Sequence, residues 1–270
     1  MINRTIVFVS CLIATMILSL PAIAHEYWLQ PIRFFVQNND VISAHIHVGQ
    51  HFKGDKYPYI SKDITSMGIH LGSASKTIVP RTGDYPAITE AVLGDGINIL
   101  TVTTNPSVLI YDEPGKFEKF LLKEGLNWVL AEHENRKLPA IGFTETYRRN
   151  AKTLIKVGSG EGADQKTGLE FEWVLQTNPY TATKNELVAQ LLWQGKVFAD
   201  KQFRVFIRTG DELITHVSNT NKDGMAHFPF YPDAKYLVNA VHMILPTNEV
   251  VEKYNAVWES RWASLTFATE

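Results

Sequence analysis

Hydrophobic and polar positions alternate most cleanly over residues 41–48. Ile42, Ala44, Ile46 and Val48 fall on one side, Ser43, His45 and His47 on the other, the two-residue period of a half-buried strand. Gly49 breaks the pattern. Residues 25–36 read as a first strand with Tyr27, Leu29, Phe34 and Val36 as apolar contacts, and Pro31 marks it as an edge or a bulge. Short strands follow at 97–102 and 108–111, set apart by turn signals such as Arg81-Thr82-Gly83-Asp84 and Gly94-Asp95-Gly96. The period then lengthens. Residues 116–126 place Phe117, Phe120 and Leu121 at helical spacing with Gly125 at the stop, and 128–134 extend that pattern. A second helix is predicted over 144–156, with Thr144 as cap and Tyr147, Ala151, Leu154 and Ile155 as its stripe. Gly158 to Asp164 reads as a linker. Beyond it the two-residue period returns at 169–175, 187–193, 196–208, 213–217, 236–245 and 262–267.

These patterns predict a mostly β chain of two antiparallel β-sandwich domains, immunoglobulin-like or prealbumin-like, with a short helical insertion between them. The first sandwich covers 25–157, with helical segments near 116–134 and 144–156. A linker spans 158–168, and the second sandwich covers 169–270.

The first residues change the compartment. Asn3-Arg4, an apolar run over 6–20, Pro21 and the small-x-small Ala22-Ile23-Ala24 form a secretory signal with its cleavage site at Ala22 and Ala24. The apolar run is too short and too close to the cut for a membrane span, so the processed chain is expected to be periplasmic and not membrane-spanning. Cleavage removes Cys11, the only cysteine, and leaves the chain one unit more acidic than the formal −2 of the full sequence. Disulfides, thiolate metal sites and cysteine nucleophiles are thereby excluded. There is no basic stripe for nucleic acid. The chain has no Gly-x-Ser-x-Gly, His-Glu-x-x-His, phosphate-binding loop or dinucleotide fingerprint, and it is read as a non-enzyme.

Histidine is the remaining candidate chemistry. Cleavage would make His25 the first residue, with an amine and a ring Nδ1 able to chelate one ion. His45 and His47 share a strand face, and His51 follows the break at Gly49. Singly, His45 or His47 reads as part of a solvated polar face; three histidines within seven residues point toward a metal. His242 shares a face with Tyr236, Val238, Ala240 and Ile244 and reads as part-buried. His70, His133, His216 and His227 read as ordinary surface or turn residues. Imidazole with an amine suits nickel, cobalt, copper or zinc. Tyr27 in the third mature position rules out the motif in which a third-position histidine gathers copper or nickel with backbone amides.

Several stretches carry a resemblance. They are His25-Glu26-Tyr27-Trp28-Leu29-Gln30-Pro31, Val48-Gly49-Gln50-His51-Phe52-Lys53-Gly54-Asp55, the helical 116–126, 145–154, Asp223-Gly224-Met225-Ala226-His227-Phe228, Ala240-Val241-His242-Met243, and most specifically Trp258-Glu259-Ser260-Arg261-Trp262-Ala263-Ser264-Leu265-Thr266-Phe267. In these the chain resembles the periplasmic components of nickel and cobalt uptake systems, a family filed as a domain of unknown function. The resemblance implies that Ni²⁺ or Co²⁺ is captured outside the cytoplasmic membrane and handed to a membrane metal-uptake transporter. It implies His25, His51 and His242 as ligands; His45 and His47 lie outside it. Two other readings stay open: a copper carrier or terminal-histidine copper oxidoreductase, and a sandwich that binds a non-metal ligand or partner.

Overall fold

The computed structural model describes residues 26–181 and 185–270; the expected signal segment, its cleavage site at Ala22 and Ala24, and His25 lie outside the described residues. The first half contributes β1 (Glu26–Pro31), β2 (Phe35–Val36), β3 (Val41–Gln50), β4 (Lys53–Tyr57), β5 (Ile64–Leu71), β6 (Ala74–Thr77), β7 (Ile88–Ala91), β8 (Gly96–Thr104) and β9 (Ser107–Tyr111). Helices α1 (Lys116–Glu124) and α2 (Trp128–Asn135) follow, then the long strand β10 (Phe143–Val157). The second half adds β11 (Phe171–Leu175), β12 (Glu186–Trp193), β13 (Lys196–Val197), β14 (Gln202–Thr209), β15 (Glu212–Asn219), β16 (Met225–Pro229), β17 (Ala234–Ile244), α3 (Asn248–Tyr254) and β18 (Ala256–Ala268). The fold is mostly β, as the alternation predicts. Among the described residues no helix is long and apolar enough to cross a membrane.

A ten-stranded sheet runs in the order β15-β14-β17-β18-β10-β8-β5-β6, with β2 and β9 also paired to β10. It takes strands from both sides of the 158–168 segment. Its pairing is antiparallel except where β10 lies parallel to β18 and to the two-residue β2. Smaller sheets cover its two faces. Tyr27, Leu29, Ile42, Ala44 and Ile46 of the sheet formed by β1, β3, β4 and β7 pack on Ile69, Leu100, Val102, Ala151 and Ile155. Phe171, Trp173, Leu187 and Leu191 of the sheet formed by β11, β12, β13 and β16 pack on Ile99, Leu154, Val238 and Leu265. Neighbours along a strand point to opposite faces, so Leu154 and Ile155 place the two cores on opposite sides. Helices α1 and α2 cover the first face further along, through Phe117, Phe120, Leu121 and Val129 against Val241, Met243, Trp258 and Trp262.

The predicted helix over 144–156 is instead the strand β10. Its apolar residues serve two cores: Ala151, Ile155 and Val157 one, Leu154 the other. A strand buried on both faces has no clean alternation, and this one happened to match a helical stripe. Its Thr144, Thr146, Tyr147, Thr153, Ile155 and Val157 are residues that favour strands. The other helical expectation, 116–134, forms as α1 and α2, with Gly125 in the left-handed region closing α1.

The segment 158–168 carries no strand or helix, and it is pinned to the core. Lys152, fully buried, places Nζ 2.7 Å from Asp164 Oδ1 and 3.7 Å from Glu172 Oε2. Its Nζ also donates to the carbonyls of Gln165 and Trp173. Burial pushes the Asp164 carboxyl up, and the Lys152 ammonium opposes that shift. Removing one partner of a buried pair leaves an uncompensated charge. Lys152→Met is therefore expected to cost about 3–5 kcal/mol, read as a lowered urea midpoint; an unchanged midpoint would show that the pair does not hold this segment.

Candidate functional site

Antiparallel register places Trp28 opposite His47, Gln30 opposite His45, and Lys56 on the other side of His47. These residues share the face of β1, β3 and β4 turned away from Tyr27 and Leu29. The ten-stranded sheet reaches this second face too: Trp28 and Phe52 pack on Phe206 of β14 and Leu237 of β17. A cavity of about 720 Å³ opens beside that contact, lined by Gln30, His45, His47, Lys56, Arg208 and Lys235 among others.

His47 stacks on Trp28 with ring centres 5.1 Å apart and planes at 21°. Trp28 Nε1 donates to Gln30 Oε1 at 3.3 Å. The rings of His45 and His47 lie 6.2 Å apart. His45 also packs against Tyr85, at 4.7 Å. Nδ1 of His45 and both ring nitrogens of His47 are buried without a well-formed hydrogen bond among the described residues. Burial is the main cause that holds both rings below the usual imidazole range. His47 falls to about 4, with the Gly54 backbone opposing and His45 and Lys56 adding to the shift. His45 shifts the same way through burial and Lys56. Both rings are thus neutral near pH 7, with lone pairs to offer.

The hairpin joining β3 to β4 holds the cavity in place. Gln50 pairs with Lys53, so His51 and Phe52 are the two turn residues. Their φ values are 54° and 55°, as a two-residue hairpin turn requires and as non-glycine residues rarely adopt. Such strain is on the order of 1–3 kcal/mol per residue. Burial of Phe52 against Trp28 offsets it, at about 1.5–3 kcal/mol for such a side chain. Arg208 Nη2 also donates to the Phe52 carbonyl at 3.1 Å. A Cβ on Gly49 would meet the Lys53 carbonyl oxygen at 2.1 Å, and one on Gly54 the Val48 carbonyl oxygen at 2.4 Å. Glycine at this facing pair lets the two strands approach.

The start of β1 is clamped. The carboxylate of Glu26, the residue after His25, is buried, with Oε1 3.2 Å from Lys123 Nζ on α1. Beside it Arg204 of β14 pairs with Glu124 at 3.0 Å and donates to the Lys123 carbonyl. The first strand is thereby tied to both halves of the chain.

The structure brings His45 and His47 together and sets His51 near the same contact, exposed and 5.9 Å from the Phe206 ring. It does not bring His242 there. His242 follows Tyr236, Val238 and Ala240 on the face of β17 turned toward β11 and β12, while Leu237 meets Trp28 on the other face. Its ring sits among Phe198 at 4.6 Å and Trp193 at 4.9 Å, and burial lowers it to about 4. The ten-stranded sheet therefore separates His242 from His45, His47 and His51, against the ligand set the resemblance implies. His133 was read as a surface or turn residue and is buried: it bonds the Pro139 carbonyl at 2.9 Å and accepts from Trp258 Nε1 at 3.0 Å. Among the described residues, no group of three or more His, Cys, Asp or Glu side chains is arranged to hold a metal ion. His45 and His47 are two side chains that could contribute to such a set. Arg208 and Lys235, which face them, were not singled out in the sequence; they lie far along the chain on other strands and leave no local signal.

A family model described as Domain of unknown function (DUF4198) matches residues 22–244. No curated protein matches the chain.

The His47 shift has a signed consequence. An unfolded histidine titrates near 6.5 and His47 in the fold near 4. Between those values the unfolded chain binds the proton and the folded one does not, so stability falls as pH drops from 6.5 toward 4. His47→Gln is expected to lose less stability than the unaltered protein over that interval, measured by urea unfolding at each pH. Parallel curves for the two proteins would contradict the assignment.

Proposed function

The chain belongs to the DUF4198 family of unknown function, and we propose that it is an exported protein that captures a divalent transition metal, nickel or cobalt, beside the His45–His47 pair and hands it to a membrane transporter. His25 completes the donor set with its amine and ring; it immediately precedes β1, the strand paired with His47 and His45. His51 sits on the same side of the molecule and is the next donor in rank. The observation that carries this reading is the pair of neutral imidazoles whose buried nitrogens make no well-formed hydrogen bond among the described residues. Buried polar atoms are costly when left unmade, and a bound ion satisfies them. Imidazole nitrogens sit ~2 Å from such an ion, which ring centres 6.2 Å apart allow. Nitrogen donors of this kind suit nickel and cobalt, with copper and zinc as competitors.

Calorimetric titration of the processed protein with Ni²⁺, Co²⁺, Cu²⁺ and Zn²⁺ tests the reading, beside His47→Ala and a form extended by one residue before His25. One-to-one binding is expected, weakened at least tenfold in both altered forms. The pH dependence separates the donors. His47 titrates near 4 and stays neutral over this range, so it adds no fall in affinity from pH 8 to 5.5. An α-amine with a reference pKa of about 7.7–8.0 must lose its proton to bind, and affinity then falls about tenfold per pH unit below that value. No binding by the processed protein would sink the reading, and a flat pH profile would remove His25 from it.

A further inference from the structure

The cavity beside His45 and His47 is far larger than a bare ion needs. About 720 Å³ falls within the ~300–1,000 Å³ of small-molecule sites. Its charge is also the wrong sign for a bare cation. The chain as a whole is acidic at −2, yet Lys53, Lys56, Arg208 and Lys235 line this cavity and, among the described residues, no carboxylate does. Among the described residues none of the four forms an ion pair, unlike Lys123, Lys152, Arg204 and Arg261 elsewhere in the fold. Asp55 stands opposite Val48, on the alternate side of β4, and its field reaches His47 more weakly than that of Lys56. Arg208 is oriented by its bond to the Phe52 carbonyl, which leaves other N–H groups of its planar fork for a ligand.

We infer that this cavity binds a small polycarboxylate anion. The cations come from three strands, β4, β14 and β17, so an occupant with several separated carboxylates engages them better than one compact charge. A bare divalent ion would meet the repulsion of four nearby cations. A polycarboxylate neutralises them, and one that chelates a transition metal presents that metal to His45 and His47 at the same time. The inference rests on the reading of this cavity as the metal-capture site and adds the chemical form of the cargo. The free anion and its metal chelate share the carboxylate chemistry and are separated by experiment.

The test is calorimetric titration of the processed protein with citrate alone, Ni²⁺ alone, equimolar Ni²⁺ and citrate, and inorganic phosphate, at low and moderate salt. Ni²⁺ with citrate is expected to bind at least tenfold tighter than either alone, with affinity falling as salt rises. Citrate that binds equally well without nickel also supports the inference and identifies the free anion as ligand. Lys56→Gln and Arg208→Gln should each weaken citrate-dependent binding tenfold or more while Ni²⁺ alone binds as before or better. Lys56 is exposed, so its variant folds whatever Arg208→Gln does to the hairpin. Absence of citrate binding with and without nickel overturns the inference, as does phosphate binding as tightly as citrate. In either case retained binding of Ni²⁺ alone leaves the metal-capture reading intact, and loss of both refutes the two together.

Discussion

The parallel ladder between β10 and β18 is the constraint on which the rest of the molecule depends. It joins residues 144–153 to 256–266 and makes one sheet of strands from both halves. Both strands are buried on both faces over most of their length, so each small sheet finds an apolar surface ready on its own side. The two sandwiches therefore stand back to back on a shared sheet. Separating them would expose Ala151 and Ile155 on one side and Leu154 and Leu265 on the other. The buried Lys152 sits in the same strand, and its bonds fix the path by which the chain leaves β10 for the second sandwich.

That shared sheet also decides which histidines can cooperate. Its strands β14 and β17 present Phe206 and Leu237 to Trp28 and bring Arg208 and Lys235 to the cavity lined by His45 and His47. His242, on the reverse of β17, belongs to an aromatic pocket of the other sandwich. Around the histidine pair the fold accepts local costs: a hairpin turn of two bulky residues at positive φ, and, among the described residues, imidazole nitrogens buried without a well-formed hydrogen bond and cations that form no ion pair. Strain and unsatisfied groups of this kind concentrate where a site must be preformed for a ligand.

Some of this was legible in the sequence. The alternation over 41–48 located β3 and its histidine face because one side is apolar core and the other is not. Helix α1 was legible because its stripe and Gly125 are local signals. The 144–156 segment was misread because double burial erases alternation. The histidines of the expected ligand set could be placed on strands, but not on sides of the ten-stranded sheet, because that depends on long-range pairing. Arg208 and Lys235 left no trace for the same reason: only the β14–β17 pairing and its approach to Trp28 set them beside His47. His133 resembled a surface residue until Trp258 and Pro139, distant in sequence or across a turn, became its partners.

On the proposed reading, a captured metal is held by His45 and His47 on the first strand pair. X-ray absorption at the nickel edge, on the processed protein loaded with one equivalent of Ni²⁺, tests it most directly. Imidazole scattering from at least two rings is expected, reduced by one ring in His47→Ala and unchanged in His242→Ala. Ligation by oxygen alone, or loss of a ring only in His242→Ala, would contradict it.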